Sequence, residues 1–183
     1  MKKFQVFLFV LFITSGAAIF SIAYGEQPVF VKEFIGQMDY VQGKILQLED
    51  AMPQDKFSWR PEEGVRSVGE VNLHMAFSNY LFIKTPGGTP PPDINMDFNK
   101  WDYQTNDKKE IAAIIKRSFD DAKKYASGLT ENDLNKEVDF FGNKMTVRNF
   151  MVTMLNHLHE HLGQSIAYAR MNKITPPWSK KGE

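Results

Sequence analysis

Apolar residues recur at Val31, Phe34, Ile35, Met38, Val41, Ile45 and Leu48, the three-and-four spacing that puts side chains on one face of a helix. This pattern predicts a first helix from Pro28 to about Asp50, with Pro28 near its first turn, where a missing amide costs no helical hydrogen bond. A connector rich in breakers, "MPQDKFSWRPEEGVR", separates it from "SVGEVNLHMAFSNYLFIK". There Ser67 reads as an N-cap with Glu70 three residues later, a capping box, so a second helix is expected to start near Ser67. It must stop by "TPGGTPPPD", whose prolines and glycines leave no helical continuity.

A long loop to about Asn106 follows. Loops of this length in compact domains usually carry function or are disordered. Phe98, Trp101 and Tyr103 argue that this one is an ordered cover; the alternative is simple packing on the helices. A third helix is expected from about Asp107 to Ser127, with Ile111, Ile115, Phe119 and Ala122 among its inner residues and Gly128 as its stop. "VDFFGNKMT" reads as a short hairpin around Gly142 and Asn143. The fourth helix opens near Thr146 and runs to about Met171, before "NKITPPWS" ends it. Four amphipathic helices of this length predict an all-α four-helix bundle.

Composition fills in the setting. The 183 residues suit one domain, and 22 basic residues against 22 acidic ones give no basic surface for a nucleic acid. Cysteine is absent, which excludes a disulfide, a lipoprotein linkage and a cysteine nucleophile. With 43% apolar residues, including 15 phenylalanines and 9 methionines, the bundle can hold its core without a staple. Residues 1–25, "MKKFQVFLFVLFITSGAAIFSIAYG", begin with two lysines, continue apolar and end in small residues, the pattern of a secretory signal peptide cut after Gly25. The domain would then be residues 26–183, periplasmic or secreted and mildly acidic. The competing reading is an uncleaved membrane anchor over residues 4–23, a run close to the length that spans a bilayer.

The candidate chemistry is histidine. Three of the four histidines fall within "NHLHEHLGQ" on the fourth helix, and His74 lies on the second. Residues four apart share a helix face, so His157 and His161 can meet one metal, whereas His159 is rotated about 200° from His157. Stepping back along the same stripe gives Met154 and Phe150, so the pair should face inward; His74 shares its stripe with Val71, Ser78 and Leu81. In a bundle the two faces can converge on a divalent metal, with a carbonyl or carboxylate partner for each imidazole as the alternative. Gln164 is placed to hydrogen-bond a ligand from outside, or to cap the site edge. His159 is expected at solvent, an interface or a neighbouring helix. Glu160 is expected as a solvated charge facing away from the pair, and Trp59 and Trp178 as packing.

With His74 after "SVGEV" and "HLHEHLGQSIAYARMNKITPPWS" on the last helix, the chain resembles the DinB family of the wider DinB/YfiT-like metalloenzymes. The likeness runs from the first helix to Trp178 and is most specific at His157, His161, Gly163, Gln164 and the following "AYAR". It implies up-down-down-up connectivity, a divalent metal held by His74, His157 and His161, and often a homodimer. Other branches resemble thiol-dependent transferases and isomerases. The chain departs from the pattern at Leu162, where an arginine often stands, in the additional His159, and in the export signal, which argues against a cytoplasmic thiol as cosubstrate. The leading expectation is an exported metal-dependent enzyme, hydrolase or thiol-transferase-like, with zinc or nickel ahead of iron. The alternative is a bundle that binds a metal or small ligand without turnover.

Overall fold

The structure, a computed structural model, describes residues 26–179. The segment read as a signal peptide lies outside the described residues. Within them four long helices form the body: α1 (Val29–Ala51), α2 (Val68–Lys84), α4 (Lys108–Ser127) and α6 (Val147–Met171). Two single-turn helices, α3 (Phe98–Trp101) and α5 (Glu131–Leu134), sit in the connections, and strands β1 (Glu137–Phe140) and β2 (Asn143–Thr146) form a hairpin before α6. None of the described helices is long and apolar enough to cross a membrane.

Local chemistry sets the helix boundaries. Ser67 Oγ accepts from the Glu70 amide while Glu70 Oε2 accepts from the Ser67 amide, the reciprocal pair that the sequence spacing predicts. Asp107 Oδ1 caps the amides of Lys109 and Glu110, and Thr146 Oγ1 caps Asn149. Ser67→Ala should lower stability by about 1 kcal/mol, because the Glu70 amide at the start of α2 loses its acceptor. A urea midpoint that does not move would show that the cap is dispensable.

Side-chain pairs give the helix directions. Along α1 and α4 they run in opposite order, from Gln27 with Ser127, through Asp39 with Lys123, to Asp50 with Lys108. Along α2 and α4 they run in the same order: Asn79 bonds Ser118 and Tyr80 bonds Asp121, while Gly69 lies against Ile111. Phe82 packs on Phe150 and Ser78 meets His157, so α2 opposes α6. Helices α1, α2, α4 and α6 therefore run up, down, down and up. The parallel step from α2 to α4 requires a crossover, which residues 85–107 supply. Both α1 and α2 pack against both α4 and α6. The shared core includes Phe34, Met38, Ile45, Leu73, Phe82, Ile115, Phe119 and Phe150, each contributing about 1.5–3 kcal/mol by leaving water.

Two local expectations need correction. The hairpin turn is Phe141-Gly142, with Phe140 opposite Asn143, and both turn residues take positive φ (53° and 82°). Asp139 Oδ1 accepts from the Gly142 amide, and the Phe141 ring packs edge-on to Phe140, which hold this turn one residue earlier than glycine-asparagine spacing suggests. The aromatic residues of the crossover divide. Trp101 is buried with its indole N–H donating to Leu73 O, whereas Phe98 and Tyr103 are exposed. Of the three aromatic residues only Trp101 is buried, and the crossover is held as well by ion pairs of Asp93 with Arg117 and Asp102 with Arg66.

A candidate metal centre

Three of the four histidines come together between α2 and α6. One ring nitrogen from each of His74, His157 and His161 lies within 4.8 Å of the others, and the ring centroids are 4.4 to 5.1 Å apart. His157 and His161 meet because they are one helical turn apart; His74 meets them because α2 crosses the same face antiparallel. His159 points to the other side, where its ring stacks on Tyr40 of α1 and its Nδ1 contacts Leu155 O at 2.9 Å.

The hydrogen bonds around the cluster fix which nitrogens are free. Tyr168 Oη donates to the backbone carbonyl of Arg66, so it accepts from Gln164 Nε2 at 2.8 Å. That orientation turns Gln164 Oε1 toward His161, making His161 Nδ1 the donor at 2.8 Å and leaving the Nε2 lone pair free. On α2, Ser78 Oγ donates to the His74 carbonyl, so in its 2.9 Å contact with His157 it accepts from Nε2–H, and the His157 Nδ1 lone pair is uncommitted. His74 Nδ1 is buried without a hydrogen-bond partner. Asp102 Oδ2 stands 3.9 Å from it, too far for a hydrogen bond.

Burial and neighbouring positive charge keep two of the imidazoles, His74 and His157, neutral. His74 is pushed down to about 3, first by burial and then by the Arg66 guanidinium and the other two histidines. His157 is pushed down to about 4, by burial, then His161, with Arg66 adding a little and Glu160 opposing. Neutral imidazole is the form that ligates a metal.

Sequence reasoning missed several supporting residues. Ser78 and Tyr168 lie four residues after His74 and Gln164, a spacing that was available to read. Arg66 and Asp102 carry no such signal: one precedes the α2 cap and the other ends α3, and only the Trp101 anchor brings them together, with Arg66 Nε donating to Asp102 Oδ2 at 2.7 Å. Trp59 stands edge-on to Tyr168 and buttresses it, while Trp178 receives the Lys44 ammonium on its ring face. Glu160 is exposed, but together with His161 it lines an open pocket of about 640 Å³ with Gly64, Val65, Arg66, Tyr103 and Gln164, so it belongs to the mouth of the site. Helical rotation separates its Cβ from the pair, yet its flexible stem reaches the rim.

The family model described as the DinB superfamily matches residues 37–165, a span that contains all three clustered histidines. The chain belongs to the DinB superfamily. Its relatives within the superfamily include YjoA of Bacillus subtilis (strain 168), an uncharacterized protein 25% identical over 128 residues, or 68% of this chain and 79% of YjoA. A DinB-like protein of Bacillus cereus ATCC 10987 shares the fold with a TM-score of 0.67 at 23% identity, over 80% of this chain and 95% of that one. A second similar structure is YfiT from Bacillus subtilis, described as a "probable metal-dependent hydrolase with an unusual four-helix bundle topology" (TM-score 0.63, 17% identity, 79% of this chain and 89% of that one covered).

Proposed function

We propose that this DinB-superfamily protein is an exported metal-dependent hydrolase that holds a divalent ion through His74, His157 and His161. The observation that carries the reading is the set of three imidazoles within 4.8 Å of one another, one of them with a buried nitrogen that no protein group satisfies. These nitrogens fit zinc, nickel or iron(II), for which imidazole is a suitable ligand. Three protein ligands leave positions for water and substrate, and a metal so held supplies a Lewis acid and an activated water. The chain's own contribution is orientation: Gln164 and Tyr168 fix the His161 ring, and Ser78 fixes His157. YfiT, of like fold, is described as a "probable metal-dependent hydrolase".

Metal analysis of the purified protein, followed by turnover on ester, amide and thiol-transfer panels with and without the bound ion, tests the reading. One equivalent of metal with metal-dependent hydrolysis is expected. Metal without any turnover would favour a binding protein, and thiol transfer alone would replace the reaction. Export rests on residues 1–25, and N-terminal sequencing from an exporting host should give Glu26 as the first residue. A retained Met1 in the membrane fraction would mean an anchor.

A further inference from the structure

The wall of the mouth opposite Glu160 is built around one cation whose hydrogen-bonding capacity is largely unspent. Arg66 gives Nε to Asp102 Oδ2, and among the described residues neither of its terminal nitrogens makes a hydrogen bond. A guanidinium has five N–H donors, so four remain. They stand at a side chain only 36% exposed, lining the same pocket as His161. The group is held from both ends. Its backbone carbonyl accepts from Tyr168 Oη, the adjacent Ser67 caps α2, and Asp102 is itself nearly buried and fixed through its neighbour Trp101. An arginine present only to neutralise Asp102 would be expected to offer the carboxylate its two-pronged edge. Here the contact is single, and the remaining donors are left to the pocket.

We propose that the substrate carries a carboxylate, which the terminal nitrogens of Arg66 grip at the mouth while the bond to be cleaved lies against the histidine cluster. This rests on the hydrolase reading for its chemistry, but not for its electrostatics. A planar, permanently charged fork prepositioned by Asp102 matches a carboxylate with little ordering cost. The Arg66 charge is felt at both His74 and His157, so an anion bound there sits close to the cluster. Glu160 on the rim of the same pocket disfavours a doubly charged group and so selects a carboxylate over a phosphate.

Two measurements separate this inference from the metal assignment. On metal-free protein, acetate titrated against the arginine Nε–H resonances should give a saturable shift at Arg66, whose signal is assigned by its loss in Arg66→Met, with inorganic phosphate at the same concentrations giving a weaker one. On zinc-loaded protein, N-hydroxysuccinamic acid should bind about tenfold more tightly than butyrohydroxamic acid, its neutral counterpart, as one charge-assisted hydrogen-bonded pair implies. Arg66→Met should abolish that preference, and Arg66→Lys should restore part of it. If neither hydroxamate binds, the metal assignment fails while the acetate titration still decides Arg66. No acetate shift, stronger phosphate binding, equal hydroxamate affinities in the wild type, or a preference that survives Arg66→Met would each overturn the proposal.

Discussion

Replacing His74, His157 or His161 by alanine will each weaken metal binding by about 100-fold or more, whereas His159→Ala will keep the wild-type stoichiometry. Loss of an outer partner alone typically costs 10- to 100-fold, and each of the three changes removes a direct ligand. His159 shares the crowded sequence but lies across the helix, stacked on Tyr40. The measurement is metal content and affinity of four variants purified identically and checked for helicity. A His159→Ala protein that loses its metal while His74→Ala keeps it would refute the convergent-face geometry. Acid should release the metal later than free imidazole chemistry suggests. An unperturbed imidazole takes up a proton near 6.5, but His74 and His157 stay neutral down to about 3 and 4, so at those two ligands proton competition is postponed by burial and neighbouring positive charge.

The features legible in the sequence are those with short periods. Ser67 and Glu70 announce the start of α2 because the capping box is a three-residue relation, and His157 with His161 announces a shared face because a helix turns every 3.6 residues. Inward-facing stripes allowed His74 to converge on that pair, and the family resemblance named the three together. What could not be read is whatever depends on the crossover. Asp102 reaches Arg66 across 36 residues only because the Trp101 indole N–H finds Leu73 O. Nothing periodic encodes that meeting, so the cationic side of the mouth was invisible. The perturbed protonation of the histidines was equally hidden, since burial and the placement of Arg66 are properties of the packed chain. Glu160 shows the opposite failure, where rotation angle was read correctly and side-chain reach was not.

Glu49, near the end of α1, carries the second large expected effect. It is 3% exposed on α1, and neither carboxyl oxygen has a hydrogen-bond partner within the protein. Ile45, Leu48, Met52, Val68, Asn72 and Ser165 surround it, lining a void of about 10 Å³. Burial pushes its carboxyl up to about 8, with the Lys108 ammonium opposing but already committed to the carbonyls of Asp50 and Met52. Below pH 4.5 the group is protonated whether the chain is folded or not, and it sets no pH-dependent cost. Between 4.5 and about 8 the unfolded chain releases the proton while the folded chain retains it, so the stability present at low pH is lost as pH rises, and the loss levels off above 8. At about 1.4 kcal/mol for each pH unit, the full window is worth on the order of 5 kcal/mol, a sizeable part of the 5–15 kcal/mol of a typical domain. Glu49→Gln removes this titration without changing the shape of the side chain. Urea unfolding of the metal-free proteins at pH 4.5, 6 and 8 should therefore show the variant gaining on the wild type by a few kcal/mol across the series, and the histidine contributions cancel in the difference. A difference that stays constant with pH would mean that Glu49 is ionised in the folded protein and paired with a group that these contacts do not include.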